Sequence, residues 1–137
     1  MKRSKIALLV FFMFFCLFTG CRKQTPPAAP LRLITGVQIT EEIPGNPILH
    51  QYTQPQQIDA IIVYLSGLRP YGIADRNPER VSGAAYRIEV FFSDGTSRIY
   101  RQRANRYFSK DCRTWRLIDP QKGAYLQELL QQTPSSS

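Results

Sequence analysis

The sequence predicts an α+β domain: a small antiparallel sheet of about four to five strands with two helices packed on one face. Three observations carry that prediction. Residues 85 to 103 alternate apolar and polar side chains around Ser93-Asp94-Gly95, the pattern of a β-hairpin. Ile58, Ile61, Ile62 and Leu65 form one apolar stripe at helical spacing, and Tyr125, Leu126, Leu129 and Leu130 form another. The predicted strands follow one another through turns rather than helical crossovers, which favours antiparallel pairing with the helices on one side.

The first 21 residues differ in kind from this domain. Lys2, Arg3 and Lys5 are basic, and Ile6 to Phe18 is an unbroken apolar run. That run is too short to cross a bilayer core, which needs about 20 apolar residues, but it suits the apolar region of a secretory signal. It ends in Leu17-Phe18-Thr19-Gly20-Cys21, which resembles the lipobox of bacterial lipoproteins and departs from it at Phe18, where a smaller aliphatic residue is usual. The resemblance implies removal of residues 1–20 and a diacylglycerol on the Cys21 sulfur. It further implies a mature chain tied to the extracytoplasmic side of a bacterial membrane. Arg22, rather than an acidic residue, follows Cys21, a pattern compatible in that family with outer-membrane sorting.

Removing the 20 leader residues from 137 leaves 117, enough for one domain of modest core. The formal charge of the whole chain is +8; the leader takes three lysine and arginine charges with it, leaving +5. That balance favours anionic neighbours and is too mild to point to nucleic acid. With Cys16 in the leader and Cys21 lipidated, Cys112 stands alone. The domain therefore relies on its core rather than on a disulfide. Residues 21–30 read as the lipidated cysteine and a proline-rich tether, able to hold a domain some 20 to 30 Å from a membrane. Arg22 and Lys23 either meet anionic headgroups or only solubilise the linker.

The domain is expected over 31–132. Leu33, Thr35, Val37 and Ile39 alternate with Ile34, Gly36 and Gln38 as a first strand, 41–47 is a Pro/Gly turn, and Ile48 to Tyr52 is a short returning strand. Thr53 with Gln56 has capping-box spacing, Pro55 fits the first helical turn, and Gly67 is placed to end the helix. Residues 68–83 show no period and form an unusually long connection. In the hairpin, a two-residue turn would set Arg101 and Arg103 against Ile88 and Tyr86, burying charge. A three-residue turn with Gly95 left-handed instead pairs Ile88 with Tyr100 and is preferred. Ser109-Lys110-Asp111 reads as a turn, Thr114 to Ile118 as a strand with Trp115 and Leu117 on one side, and Asp119-Pro120 as the start of the second helix. Residues 133–137 read as a disordered tail.

The preferred register puts Arg87, Arg101 and Arg103 on the outward face with Arg106 close behind. Guanidinium groups fork onto phosphate and carboxylate, so this stripe is a candidate surface for an acidic protein patch or an anionic surface; a solvated sheet face carrying Glu89 is the plain alternative. Tyr71, in a Pro-Tyr-Gly turn, either meets a partner or covers the edge of the core. No catalytic constellation appears: His50 has no acid or nucleophile at a recognisable spacing, Asp94 and Asp119 belong to turns and caps, Asp59 lies on the polar side of its helix, and nothing clusters as a metal or cofactor site. The sequence thus points to a lipid-anchored, non-enzymatic interaction module. The alternative is a small-molecule-binding or peptidase-inhibitor-like domain, because Tyr86, Ile88, Val90 and the Asp94-Gly95 turn loosely resemble the hairpin of secreted peptidase-propeptide domains.

Overall fold

The computed structural model describes residues 32–134; the leader, Cys21, the tether and the last three residues lie outside it. Six strands and two helices follow in the order β1 (Ile34–Glu41), β2 (Ile48–Tyr52), α1 (Pro55–Gly67), β3 (Ala85–Phe92), β4 (Ser97–Arg103), β5 (Tyr107–Ser109), β6 (Arg116–Leu117) and α2 (Pro120–Gln132). All pairings are antiparallel and the sheet order is β2-β1-β3-β4-β5-β6. The fold is α+β with two helices. The sheet has six strands instead of four to five, because Tyr107–Ser109 is a strand of only three residues, too short for periodicity to register. The strand expected over 114–118 shrinks to Arg116–Leu117.

The hairpin adopts the three-residue turn. Ile88 faces Tyr100 and Arg87 faces Arg101. The Phe92 N–H donates to the Thr96 carbonyl at 2.9 Å, and Gly95 takes φ +81°, a conformation open to glycine and costly for most other residues. Asp94 Oδ1 accepts from the Thr96 N–H at 3.0 Å and its hydroxyl at 2.6 Å, closing the turn from the side-chain direction. These bonds, the hydroxyl foremost, hold the Asp94 carboxyl below the usual carboxylate range.

One face of the sheet builds the core. Val37, Ile39, Tyr86, Ile88, Val90 and Phe108 are buried with Ile58, Ile61 and Leu68 at α1 and Leu126, Leu129 and Leu130 from α2. Two helix details differ from expectation. Helix α1 begins with Gln54, not Thr53, as N-cap; the Gln54 carbonyl takes the Gln57 and Ile58 N–H groups while its side chain makes no cap bond. Gly67 is the last residue of the helix and not its left-handed terminator, a role that falls to Arg69 at φ +45°. The α1 stripe also rotates: Tyr64 is buried, while Ile62 and Leu65 are only partly covered. In α2, Tyr125 is 44% exposed and the buried place is taken by Gly123. Asp119 caps α2 as expected, accepting from the Gln121 N–H at 2.9 Å.

A polar bolt runs through the core. Gln102, on the inward face of β4, is 1% exposed. Its Nε2 donates to the Gly123 carbonyl at 2.9 Å, and its Oε1 accepts from the Tyr64 hydroxyl. One amide thus ties β4 to both helices and leaves no orphaned polar group, which in a dry site would cost about 1–3 kcal/mol. The bolt depends on close approach: a Cβ at Gly123 would stand 2.0 Å from the Asn105 carbonyl oxygen.

Gly123→Ala is therefore expected to push α2 away from the β4–β5 turn and lower stability by about 1–3 kcal/mol, read by urea denaturation. A second variant tests the one buried side-chain polar atom without a partner among the described residues, the Tyr52 hydroxyl. Burial, reinforced by the charge of Glu41, pushes this phenol up to about 12. A raised folded pKa means that the stability contribution is intact below the ordinary value of about 10 and is lost as pH rises towards 12. Tyr52→Phe is expected to hold or raise stability by up to about 1 kcal/mol at neutral pH and to flatten the alkaline loss.

Candidate binding face

Strand parity sends Arg87, Glu89, Arg101, Arg103, Tyr107, Ser109 and Leu117 to the face opposite the helices. The stripe expected from the sequence exists: Arg87 and Arg101 are direct cross-strand partners, Arg103 follows two residues on, and Arg106 lies in the next turn. It is not open, however. Residues 68–83 form a strap across this face. The strap starts beside β6, where Tyr71 and Leu117 exchange backbone hydrogen bonds at 2.9 and 3.0 Å and the Ala74 N–H donates to the Trp115 carbonyl at 3.0 Å. It turns through a short 3-10 segment, Pro78–Arg80, whose N-cap Asn77 accepts from the Glu79 N–H. From there it runs into β3.

The strap brings acids to the arginines. Arg101 Nη1 lies 2.6 Å from Glu79 Oε1, and Nη2 lies 3.3 Å from Glu42 Oε2. The guanidinium also sits over the Trp115 ring, 5.4 Å from its centroid. Burial works against the Arg101 charge, but the Glu79 hydrogen bond and the field of Glu42 outweigh it and raise the pKa. Arg103 donates to the Val81 carbonyl at 3.2 Å and is 4.0 Å from Glu79. Arg106 is 3.7 Å from Asp75, and Arg87 is 3.6 Å from Glu89. The Tyr107 hydroxyl donates to Asp75 at 2.8 Å. That bond is the main reason the Asp75 carboxyl lies below its ordinary range; burial first, then Asp75, pushes the Tyr107 phenol up.

The arrangement therefore corrects the open-stripe expectation. Arg101 and Arg103 are clamps for the strap, with 24% and 22% of their side chains exposed, and Arg87 and Arg106 are the more accessible pair. Tyr71 is anchored by its backbone while its ring stays exposed, and Ile73 is 77% exposed. Two further features escaped the sequence reading. His50 Nε2 meets Glu41 Oε1 at 2.7 Å, and its ring stacks on Tyr52; the spacing of nine residues across a turn carries no motif. The second is a cleft of about 350 Å³ lined by Pro70, Phe108, Lys110, Asp111, Thr114 and Arg116. Asp111 closes its own loop, accepting from Ser109 Oγ and from the Arg113 and Thr114 N–H groups at 3.0, 2.9 and 2.7 Å. These bonds, the Thr114 N–H foremost, hold its carboxyl far below the usual range. Lys110 and Arg116 have no ion-pair partner among the described residues.

Among the described residues, no three His, Cys, Asp or Glu side chains gather as a metal site, and no helix is long and apolar enough to cross a membrane. Cys112 is exposed at φ +59°.

Arg101→Met keeps the stem over Trp115 and removes the charge. It is expected to cost about 1–2 kcal/mol, the sum of partly exposed ion pairs and a charge-assisted bond. Hydrogen exchange should quicken at the strap amides of Tyr71 and Ala74 before the amide of Ile88 responds. Because the folded pKa of Asp75 is lowered, its support of the strap is intact above about pH 4 and is lost as pH falls. Asp75→Asn should remove that acid dependence of strap protection. No protein-family model, no curated protein and no solved structure matches this chain, so the face and the cleft stand on their own geometry.

Proposed function

We propose that the chain is a lipid-anchored interaction module without catalytic activity. A lipid on Cys21 holds it at the extracytoplasmic side of a bacterial membrane, and its strap binds another envelope protein. The observation that carries this reading is a long connection that is pinned and still leaves large apolar side chains outside. Contacts to six residues, Leu117, Trp115, Tyr107, Arg106, Arg101 and Arg103, fasten residues 71–81 to the sheet and its flanking turns. Tyr71 and Ile73 nevertheless stay 56% and 77% exposed. A segment already ordered loses little entropy when a partner covers it, and a tyrosine on such a segment is a favourable anchor. The mild positive balance is consistent with a partner of acidic surface.

A second reading, a small-molecule-binding or peptidase-inhibitor-like domain, is favoured by the cleft of about 350 Å³, which is within the size range of small-ligand sites.

Cross-linking in the producing cell, followed by mass spectrometry, tests the first reading. Wild type is expected to capture one protein, and Tyr71→Ala combined with Ile73→Ser is expected to lose it while circular dichroism stays unchanged. Capture that survives the double substitution, or no captured protein at all, would sink the strap as the docking element.

A further inference from the structure

The two edges of the sheet are finished differently. At one, β6 is two residues long, opens with Arg116, and exchanges backbone hydrogen bonds with Tyr71 of the strap. Shortness, charge and cover are the usual devices that stop a sheet edge from pairing further. At the other edge, β2 carries none of them. Its residues, Ile48-Leu49-His50-Gln51-Tyr52, include no lysine, arginine, acid, proline or glycine, and its register with β1 runs unbroken from Glu41–Ile48 to Val37–Tyr52. Ile48 and Leu49 are 40% and 50% exposed, and Ile43, in the turn before them, is 44% exposed.

Hydrogen-bond parity shows which backbone groups of β2 are left over. The Glu42 N–H donates to the Ala85 carbonyl at 2.8 Å. Alternation along β1 then turns the backbone groups of Thr40 and Gln38 to β3 and those of Glu41, Ile39 and Val37 to β2. Ile48, His50 and Tyr52 answer the second set. Leu49 and Gln51 lie between them and direct one N–H and one carbonyl each away from the sheet, where no strand follows among the described residues. Two copies laid antiparallel about a two-fold axis at His50 would set Leu49 of each against Gln51 of the other. That register alone matches the whole of β2 with the whole of its counterpart, and it pairs every outward group.

Charge indicates what covers this edge. Residues 43–58 carry none of the chain's 18 lysines and arginines and none of its 10 aspartates and glutamates, the longest such run in the domain. A partner selected by acidic or basic groups finds nothing here to recognise. Two copies of a chain with a net charge of +8, which opposes self-association elsewhere, can meet here without like charges set against each other. The cleft that could select a side chain of a foreign strand lies at the opposite edge of the sheet. We infer that β2 pairs with β2 of a second copy of this chain, joining two six-stranded sheets into one continuous antiparallel sheet. The two-fold axis stands perpendicular to that sheet and places the helices of both copies on one side of it. This pairing goes beyond the strap reading and leaves it intact. The straps cross β4 to β6, at the two far ends of the joined sheet, so the dimer presents two docking elements to a partner.

The register makes the test specific. Opposed residues of a hydrogen-bonded antiparallel pair stand about 5.5 Å apart at Cα, within disulfide range. Two differently tagged full-length chains, both with Cys112→Ser, are expressed together, one with Leu49→Cys and the other with Gln51→Cys, and the cells are treated with copper–phenanthroline. The mixed disulfide dimer is expected to exceed either like-with-like dimer, and to exceed the yield from chains carrying Cys112→Ser alone. Sedimentation velocity of the full chain in density-matched detergent reads the pairing without a covalent trap. Leu49→Lys with Gln51→Lys sets lysine against lysine at both pairs and should weaken the dimer by about tenfold. Leu49→Glu with Gln51→Lys sets opposite charges at both pairs and should restore it. Both side chains point to solvent, so circular dichroism and melting temperature should match wild type in either variant. A monomeric wild type, like-with-like disulfides as abundant as the mixed one, or two charge variants that behave alike would each overturn the inference. Trapping of a different protein in place of a second copy overturns it in favour of a foreign strand.

Discussion

The parity of β4 is the constraint on which the rest of the domain depends. With Ser93-Asp94-Gly95 as a three-residue turn, Ile88 faces Tyr100, so Arg101 points outward and Gln102 inward. A slip of one residue would exchange them, placing a guanidinium among Ile39, Ile61 and Leu126 and an amide opposite Glu79. Burying that charge without a partner would cost several kcal/mol, far more than a turn of different length could return. The left-handed Gly95 and the Asp94 bonds to Thr96 therefore have consequences well beyond the hairpin tip.

From that parity come the two devices that bind the layers together. Inward, Gln102 joins β4 to Tyr64 of α1 and to the Gly123 carbonyl of α2, and its full satisfaction makes a polar group tolerable in the core. Outward, Arg101 gathers Glu79, Glu42 and Trp115 and holds the strap over Tyr107 and Ser109, which are 2% and 1% exposed. Neither device is strong in a single contact. Partly exposed ion pairs contribute about 0.2–1 kcal/mol each, and the strap is held because its backbone also pairs with Leu117 and Trp115.

Charge is sorted by the same geometry. Carboxylates on the strap and at the end of β1 neutralise the arginines of the outer face, while the 110–116 loop keeps its acid occupied with backbone donors and leaves its cations unpaired. Arg80 on the strap is likewise without a carboxylate partner among the described residues, so unpaired cations remain on both sides of the sheet's outer edge. A net charge read along the chain cannot reveal this, because pairing across 22 residues for Arg101–Glu79 and 59 for Arg101–Glu42 depends on which strands lie side by side.

Much of the local architecture was legible in the residues. Alternation from Tyr86 to Phe92, the Asp94-Gly95 turn, the Asp119-Pro120 start of α2 and the apolar stripe of α1 each follow from short-range sterics and hydrogen bonding, so α+β class, antiparallel pairing and the hairpin register could be read without tertiary information. The three-residue β5 was hidden, because three buried residues in a row have neither period. The capping box at Thr53 misled, since Pro55 fits the first helical position equally well with Gln54 as the cap. The outward arginines were found, but whether they are free was not, and neither the Glu41–His50 contact nor the Lys110–Arg116 cleft has any sequence signature. By itself the sequence determined which residues turn, alternate and cap, because those properties are decided within a few bonds. Only the tertiary structure decided which charges are spoken for, because electrostatic pairing is set by distance in space, and that distance is fixed by where the strap crosses the sheet.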